Sequence, residues 1–502
     1  MADLVWFWCA AACVKVLLAP SYRSTDFEVH RHWLALTSSL PISQWYVDAS
    51  SPWTLDYPPL FAYFEFLLSI PAAIVDPGIV DIRNLGYDAE SVVVFQRLSV
   101  VFADLSLFVG AGLIARRLSG GKRRLVYALI LWSPALIIVD HVHFQYNGLL
   151  LGVLLLSLAL LSEGRDLEGG LAFAVLICSK HLFAVAAPVY FVYLLRHYCS
   201  GRGIWRDLGR FLKMGAVVGV VAAVSFGPFL YHGQMKQVFH RLFPFGRGLC
   251  HAYWAPNFWV FYIILDKCMA FFLRRLGYAV EIPSASFTGG LVGSSSPFAV
   301  LPQVTPAVSL ALVILAMAPC LVRAWKKPEP RHVVRWVSYA YTCGFIFGWH
   351  VHEKASLHFV IPLAVTAAES LEDAGHYFLL ATASCYSMFP LLFGPEEYPV
   401  KLLLLAIHSI IVLSSLSSLF SSKLSQEDPP TTTTAVAGAA VGPVGMWYLA
   451  GFAAVEIWGQ LLHPLLLGER LPFLPLMLVS TYCAFGMVYS WTWQLRRILA
   501  AG

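Results

Sequence analysis

Six polar motifs interrupt an otherwise apolar sequence of 502 residues, and their residue types can handle protons and anions. Residues 25–33 read TDFEVHRHW, 55–60 LDYPPL, 140–147 DHVHFQYN, 179–181 SKH, 241–248 RLFPFGRG and 349–354 WHVHEK. Asp26, Glu28, Asp56, Asp140 and Glu353 supply carboxylates, any of which can take a proton. Arg31, Lys180, Arg247, Lys354 and a protonated His352 supply positive charge for an anion. Tyr57, His141, His143, Gln145 and Asn147 add neutral groups able to hydrogen-bond a polar ligand. Asp26 and Glu28 are two apart, so a helix turns them to different sides and a strand puts them on one face. The H-x-H pair His141/His143 has no third ligand beside it, and WHVHEK lacks the H-E-x-x-H spacing, so no metal site is expected. His352, Glu353 and Lys354 also fit an ion-pair cluster closing a helix, and Tyr57-Pro58-Pro59 fits an ordinary turn.

The elements that position these motifs are expected to be membrane helices. The chain is 58% hydrophobic and 13% charged, against about 25% charged residues in soluble domains. So little charge cannot cover a water-exposed globule of this length, whereas a lipid-facing exterior requires it. A net charge of +5 is too small to argue for a nucleic-acid partner. The ten cysteines show no CxxC and lie mostly in apolar runs, as Cys9, Cys178, Cys320, Cys343 and Cys483 do. They read as small buried hydrophobes rather than a disulfide or zinc framework.

None of the three asparagines begins a glycosylation sequon, so sidedness rests on the basic residues. The clusters Arg116–Arg124, Arg196–Lys213, Arg323–Arg335 and Arg496–Arg497 are placed in the cytosol by the positive-inside rule. One threading satisfies all four, as a single multi-spanning domain over 1–502 with about fourteen helices. The first, Leu4–Pro20, is a retained helix with Lys15 snorkelling to an interface. The others cover about 92–114, 125–140, 147–162, 168–179, 182–195, 213–230, 306–322, 334–348, 357–371, 376–393, 401–420, 445–463 and 473–495. Residues 21–91 and 231–305 become luminal loops, and 421–444, opening with the low-complexity run Ser421–Thr434, becomes a cytosolic linker. Tyr57–Val75 is apolar and span-length, but counting it as a span would move Arg116–Arg124 to the lumen, so it is placed in the interface, as is Phe258–Leu273, which leaves Arg274 and Arg275 luminal against the charge rule. Ser284–Pro297 reads as a loose loop.

Under this threading the six motifs gather on the luminal side. A charge at a helix centre costs roughly 2.5–3.5 kcal/mol, so such a gathering points to a solvated cavity. Transfer of a sugar from a lipid phosphate would use that inventory. A base must take the acceptor hydroxyl's proton, while the departing phosphate, already a stable anion, needs cations rather than a strong acid.

At these motifs the sequence resembles a known family. DFEVHRHW, LDYPP, DHVHFQYNG, CSKH, RLFPFGRGL and HVHEK follow one another, from residue 26 to residue 354, as in the dolichyl-phosphate-glucose-dependent α-1,3-glucosyltransferases of the endoplasmic reticulum, of the GT-C class. The stretch 246–259, GRGLCHAYWAPNFW, is similar to members that add the second glucose, as are Gly148 and Gly348-Trp349. The resemblance implies an all-α GT-C fold in the endoplasmic-reticulum membrane with a luminal site. It implies dolichyl phosphate glucose as donor substrate, Glc1Man9GlcNAc2-diphosphodolichol as acceptor, and inversion without a metal or other cofactor. It also implies Asp26 as the catalytic base and His352 at the donor phosphate, with Arg247, Lys180 and Lys354 as further phosphate partners on charge alone.

Two other readings compete. The same scaffold could add the first glucose, or a mannose, and Glc0 against Glc1 acceptors would separate these. A transporter or scramblase would instead show repeated halves with broken helices at the bilayer midplane, and the sequence shows no such repeat.

Overall fold

The computed structural model describes residues 2–118, 120–243, 245–246, 248–251, 255–281, 298–420 and 433–500. These residues form helices and turns with no strand, apart from one parallel bridge between Cys250 and Val351. Helices satisfy every backbone donor and acceptor within the segment, as a bilayer demands. Eight are long and apolar enough to cross a membrane: Glu90–Arg117, Gly120–Phe144, His181–Cys199, Ile204–Tyr231, Pro306–Lys326, Tyr398–Leu419, Ala435–Leu467 and Leu474–Ala500. The chain is a multi-pass membrane protein.

The expected fourteen spans are not reached on length and composition among the described residues. Several appear as shorter helices: Leu4–Leu17, Asn147–Ser162, Asp166–Ser179, Val333–Phe347, Leu357–Thr366 and Leu371–Ser387. Pro59–Val75 is a 17-residue helix, and Phe258–Arg275 carries Asp266, Lys267, Arg274 and Arg275; neither joins the eight. Residues 421–432 of the expected linker and 284–297 of the expected loose loop lie outside the described residues. Residues 433–444 are helical, opening Thr433–Ile457, which kinks at Gly442 with φ 71°, a backbone region that glycine enters without steric cost.

The chain packs as two compact units. The first comprises Met1–Pro244, Ala324–Val334 and Gly394–Lys401; the second comprises Phe245–Arg323, Arg335–Phe393 and Leu402–Gly502.

In the first unit, helix α1 (Ala2–Leu17) leads through a short loop to α2 (Thr25–Ser39), and Pro58-Pro59 opens α3 (Pro59–Val75). Proline suits that first turn because its missing N–H would have no helical partner there. Asp26 and Glu28 occupy the first turn of α2, where carboxylates meet the positive end of the helix dipole. Lys15 does not snorkel. It is 3% exposed and forms an ion pair with Asp104, which is 1% exposed and also takes His141 Nε2 at 2.8 Å. A buried carboxylate needs such compensation, and this one draws the lysine inward. Helices Leu105–Ile114 and Asn147–Ser162 cross closely at Gly110 and Gly152. A Cβ on Gly110 would lie 2.4 Å from the Gly152 carbonyl oxygen, the small-residue contact that lets membrane helices approach.

In the second unit, Arg335 and Arg497 converge on Asp373, at 2.9 and 3.0 Å. Asp266 accepts the backbone N–H groups of Ala299, Val300 and Leu301 at 2.8–3.0 Å. Leu249, Cys250, Trp259, Ile263 and Phe298 pack into one apolar cluster beside that anchor.

Candidate active site

The motif at 140–147 has an unusual backbone. Ile137–Phe144 is π-helical, Phe144 has φ 89°, and Gln145 is extended. A widened coil followed by a positive φ at a bulky residue is strained, and such strain concentrates at functional positions. It turns neighbouring side chains in different directions. Asp140 accepts Asn147 Nδ2 at 2.9 Å and the Gly148 N–H at 2.6 Å, His141 faces Asp104, and His143 faces Asp26.

Asp26 is the focus of this arrangement. Its Oδ2 accepts Gln145 Nε2 at 2.7 Å and lies 3.2 Å from His143 Nε2. Gln145 Oε1 accepts Asn147 Nδ2 at 2.8 Å, and Asn147 Oδ1 accepts Lys180 Nζ at 2.9 Å. The chain from Lys180 to Asp26 therefore runs through two amides whose orientation both ends dictate, since an ammonium only donates and a carboxylate only accepts. Lys180 is 5% exposed and also lies 5.1 Å from the centre of the Tyr57 ring, a cation–π contact. Four of the six motifs thus meet around one carboxylate. The Asp26 side chain is 25% exposed and His143 13%, so the carboxylate stays reachable while Lys180 and Asn147 behind it are covered.

Not every charged residue of these motifs faces that centre. The helical backbone separates Glu28 from Asp26, and Arg31 grips Glu28 with two bonds of 2.8 and 2.7 Å. Arg31 has no exposed surface and donates to the carbonyls of Ile79 and Asp81, while Glu28 accepts the Gly86 N–H. The pair fastens the 76–86 segment to α2. Asp56 is half-buried beside Tyr57. Burial, with Asp56 and Asp26 nearby, pushes the Tyr57 phenol well above its ordinary pKa, so it stays protonated. His30 and Glu65 pair at 2.7 Å beneath an aromatic layer that includes Trp33, Tyr57, Phe61, Phe144 and Tyr146.

Sequence spacing gave no sign of Tyr22, Arg97 or Asp104, and His251 entered only within the stretch 246–259. The Tyr22 hydroxyl lies 2.6 Å from His143 Nδ1. Arg97 donates to the carbonyls of Tyr22, His141 and Val142 at 2.9, 2.7 and 3.0 Å, tying the loop before α2 to the π-helix. Glycine at 148 is required by close approach, since a Cβ there would lie 2.0 Å from Asp104 Oδ1.

The second unit holds its own polar cluster. The Cys250–Val351 bridge, the His350 N–H on the Leu249 carbonyl (2.9 Å) and Trp259 Nε1 on the Gly348 carbonyl (2.8 Å) zip two loops together. His251 then stacks on His352, ring centres 3.6 Å apart and planes 32° apart, beside buried Glu353. Ligand atoms of these three residues all lie within 4.8 Å of one another, a set that could hold a metal ion. Lys354 is half-buried in the 3-10 turn Glu353–Ser356, and Arg247 lies outside the described residues.

The sequence pattern of the ALG6, ALG8 glycosyltransferase family matches residues 11–494. A protein of Arabidopsis thaliana named dolichyl pyrophosphate Glc1Man9GlcNAc2 alpha-1,3-glucosyltransferase is 61% identical over 497 residues, 99% of this chain and 98% of that one. Its namesake from Mus musculus is 43% identical, covering 97% and 94%. Among solved structures, ArnT from Cupriavidus metallidurans bound to undecaprenyl phosphate aligns with TM-score 0.41 and 16% identity over 99% of this chain and 77% of that one.

Proposed function

The chain belongs to the ALG6, ALG8 glycosyltransferase family, and we propose that it transfers glucose from dolichyl phosphate glucose to Glc1Man9GlcNAc2-diphosphodolichol, forming an α-1,3 linkage. The observation that carries this reading is similarity of 61% identity along nearly the whole chain to a protein named for that acceptor and linkage. The site supplies a fitting base. Asp26 takes the proton of the acceptor's 3-hydroxyl as that oxygen bonds to the anomeric carbon. The bond from that carbon to the phosphate oxygen breaks on the opposite face, so a β-linked donor gives an α-linked product. Dolichyl phosphate departs as a stable anion and needs no strong acid. Its growing charge is met by His352, packed against His251, with Lys354 two residues further on, and Arg247 is a further candidate. The reading is metal-independent and places the reaction on the luminal side of the endoplasmic-reticulum membrane. The test is the lipid-linked oligosaccharide pool of cells lacking the protein. The reading requires the one-glucose species to accumulate; accumulation of the glucose-free species would assign the first-glucose step instead.

A further inference from the structure

Asp26 Oδ2 accepts a hydrogen bond from Gln145 Nε2 and has His143 Nε2 3.2 Å away, and the protonation form of that histidine must be chosen. A carboxylate offers no proton, so His143 donates to Asp26 only if Nε2 carries the hydrogen. In the neutral ring, Nδ1 is then an acceptor, and the group facing it is the Tyr22 hydroxyl at 2.6 Å. An O–H donated to Nδ1 and an N–H donated from Nε2 fix one tautomer from both ends.

The backbone holds both partners in place for this. Arg97 donates to the Tyr22 carbonyl and to the carbonyls of His141 and Val142. Ser24 Oγ donates to the His143 carbonyl, and the Tyr22 N–H donates to Glu397 Oε1 at 3.0 Å. The loop between α1 and α2 is thereby pinned to the π-helix on either side of the tyrosine–histidine contact.

We propose that Tyr22 is a positioning residue for the reaction: its hydroxyl holds His143 as the Nε2–H tautomer, so that His143, with Gln145, orients the Asp26 carboxylate toward the acceptor hydroxyl. Tyr22 touches neither substrate in this account. It acts through His143, and the proposal rests on Asp26 being the base.

The test is a double-mutant cycle on the full-length protein purified in detergent. It is assayed with dolichyl phosphate glucose and Glc1Man9GlcNAc2-diphosphodolichol, with thermal unfolding recorded for each variant. Tyr22→Phe is expected to lower kcat about tenfold with both KM values and the melting temperature held. His143→Gln keeps an N–H near the Nε2 position but has no ring tautomer to fix. In that background Tyr22→Phe is expected to change kcat by about twofold or less. Equal losses in the two backgrounds, or a Tyr22→Phe enzyme with wild-type kcat, would overturn the proposal. Asp26→Asn is the separate control: an active Asp26→Asn enzyme sinks the base assignment itself, whereas an inactive one beside a fully active Tyr22→Phe sinks only the role given to Tyr22.

Discussion

Lys180 and Asp26 are joined end to end through the side-chain amides of Asn147 and Gln145, by hydrogen bonds of 2.9, 2.8 and 2.7 Å that all point toward the carboxylate. A direct ion pair would bury the carboxylate against the ammonium. The relay holds it from one side and leaves the Asp26 side chain 25% exposed. The QYN tripeptide therefore holds the Asp26 carboxylate, and Gln145 and Asn147, which the sequence offered as substrate-binding candidates, are engaged in that relay.

Replacing Gln145 with leucine removes the 2.7 Å donor while keeping similar bulk. Hydrogen bonds to charged groups are worth about 1.5–3 kcal/mol, so kcat should fall about ten- to a hundredfold. Initial rates at saturating donor and acceptor measure this. A variant with normal kcat and a raised acceptor KM would reassign Gln145 to substrate binding.

The Lys15–Asp104 pair is a stability element. Lys15→Met leaves the Asp104 carboxylate buried without its lysine, and breaking such a pair costs about 3–5 kcal/mol. Thermal unfolding in detergent should show a clear drop in melting temperature. Adding Asp104→Asn should recover part of it, because the neutral amide no longer needs a cation. Losses that simply add would show that the two residues are not coupled.

The legible and illegible parts of this protein divide by range. Hydropathy is local, so Asn147–Ser162, Asp166–Ser179 and Pro59–Val75 could be read from the sequence as apolar helices within a few residues. Their number as full crossings could not, because several run under 18 residues. Residue type flagged Arg31 as a site candidate, and the fold shows it gripping Glu28 and tying the 76–86 segment to α2. Tyr22 and Asp104 carry no local signature, and His251 is visible only as part of the stretch 246–259 with no role attached. Their partners lie 121 residues away at His143, 89 at Lys15 and about a hundred at His352, so only the folded chain shows what they do.

His352 is assigned to the donor phosphate. His352→Ala should raise the KM for dolichyl phosphate glucose about tenfold and leave the acceptor KM where it was. Rate curves over donor concentration at fixed acceptor read this. A donor KM equal to wild type would remove His352 from the donor site.

The stacked His251–His352 pair beside Glu353 also bears on metal dependence. Purified enzyme dialysed against a strong chelator should keep its full rate. Elemental analysis should find no stoichiometric transition metal. A chelator-sensitive rate restored by one added ion, and lost on His251→Ala, would turn this cluster into a metal site.

The account stands or falls on Asp26 as the base. The most direct measurement is glucosyl transfer by purified Asp26→Asn enzyme on defined donor and acceptor lipids, with binding of both lipids checked separately. The asparagine keeps the shape of the side chain but cannot accept the hydroxyl proton. The account predicts a loss of at least about a hundredfold in kcat with both lipids still bound. Transfer at the wild-type rate would contradict it.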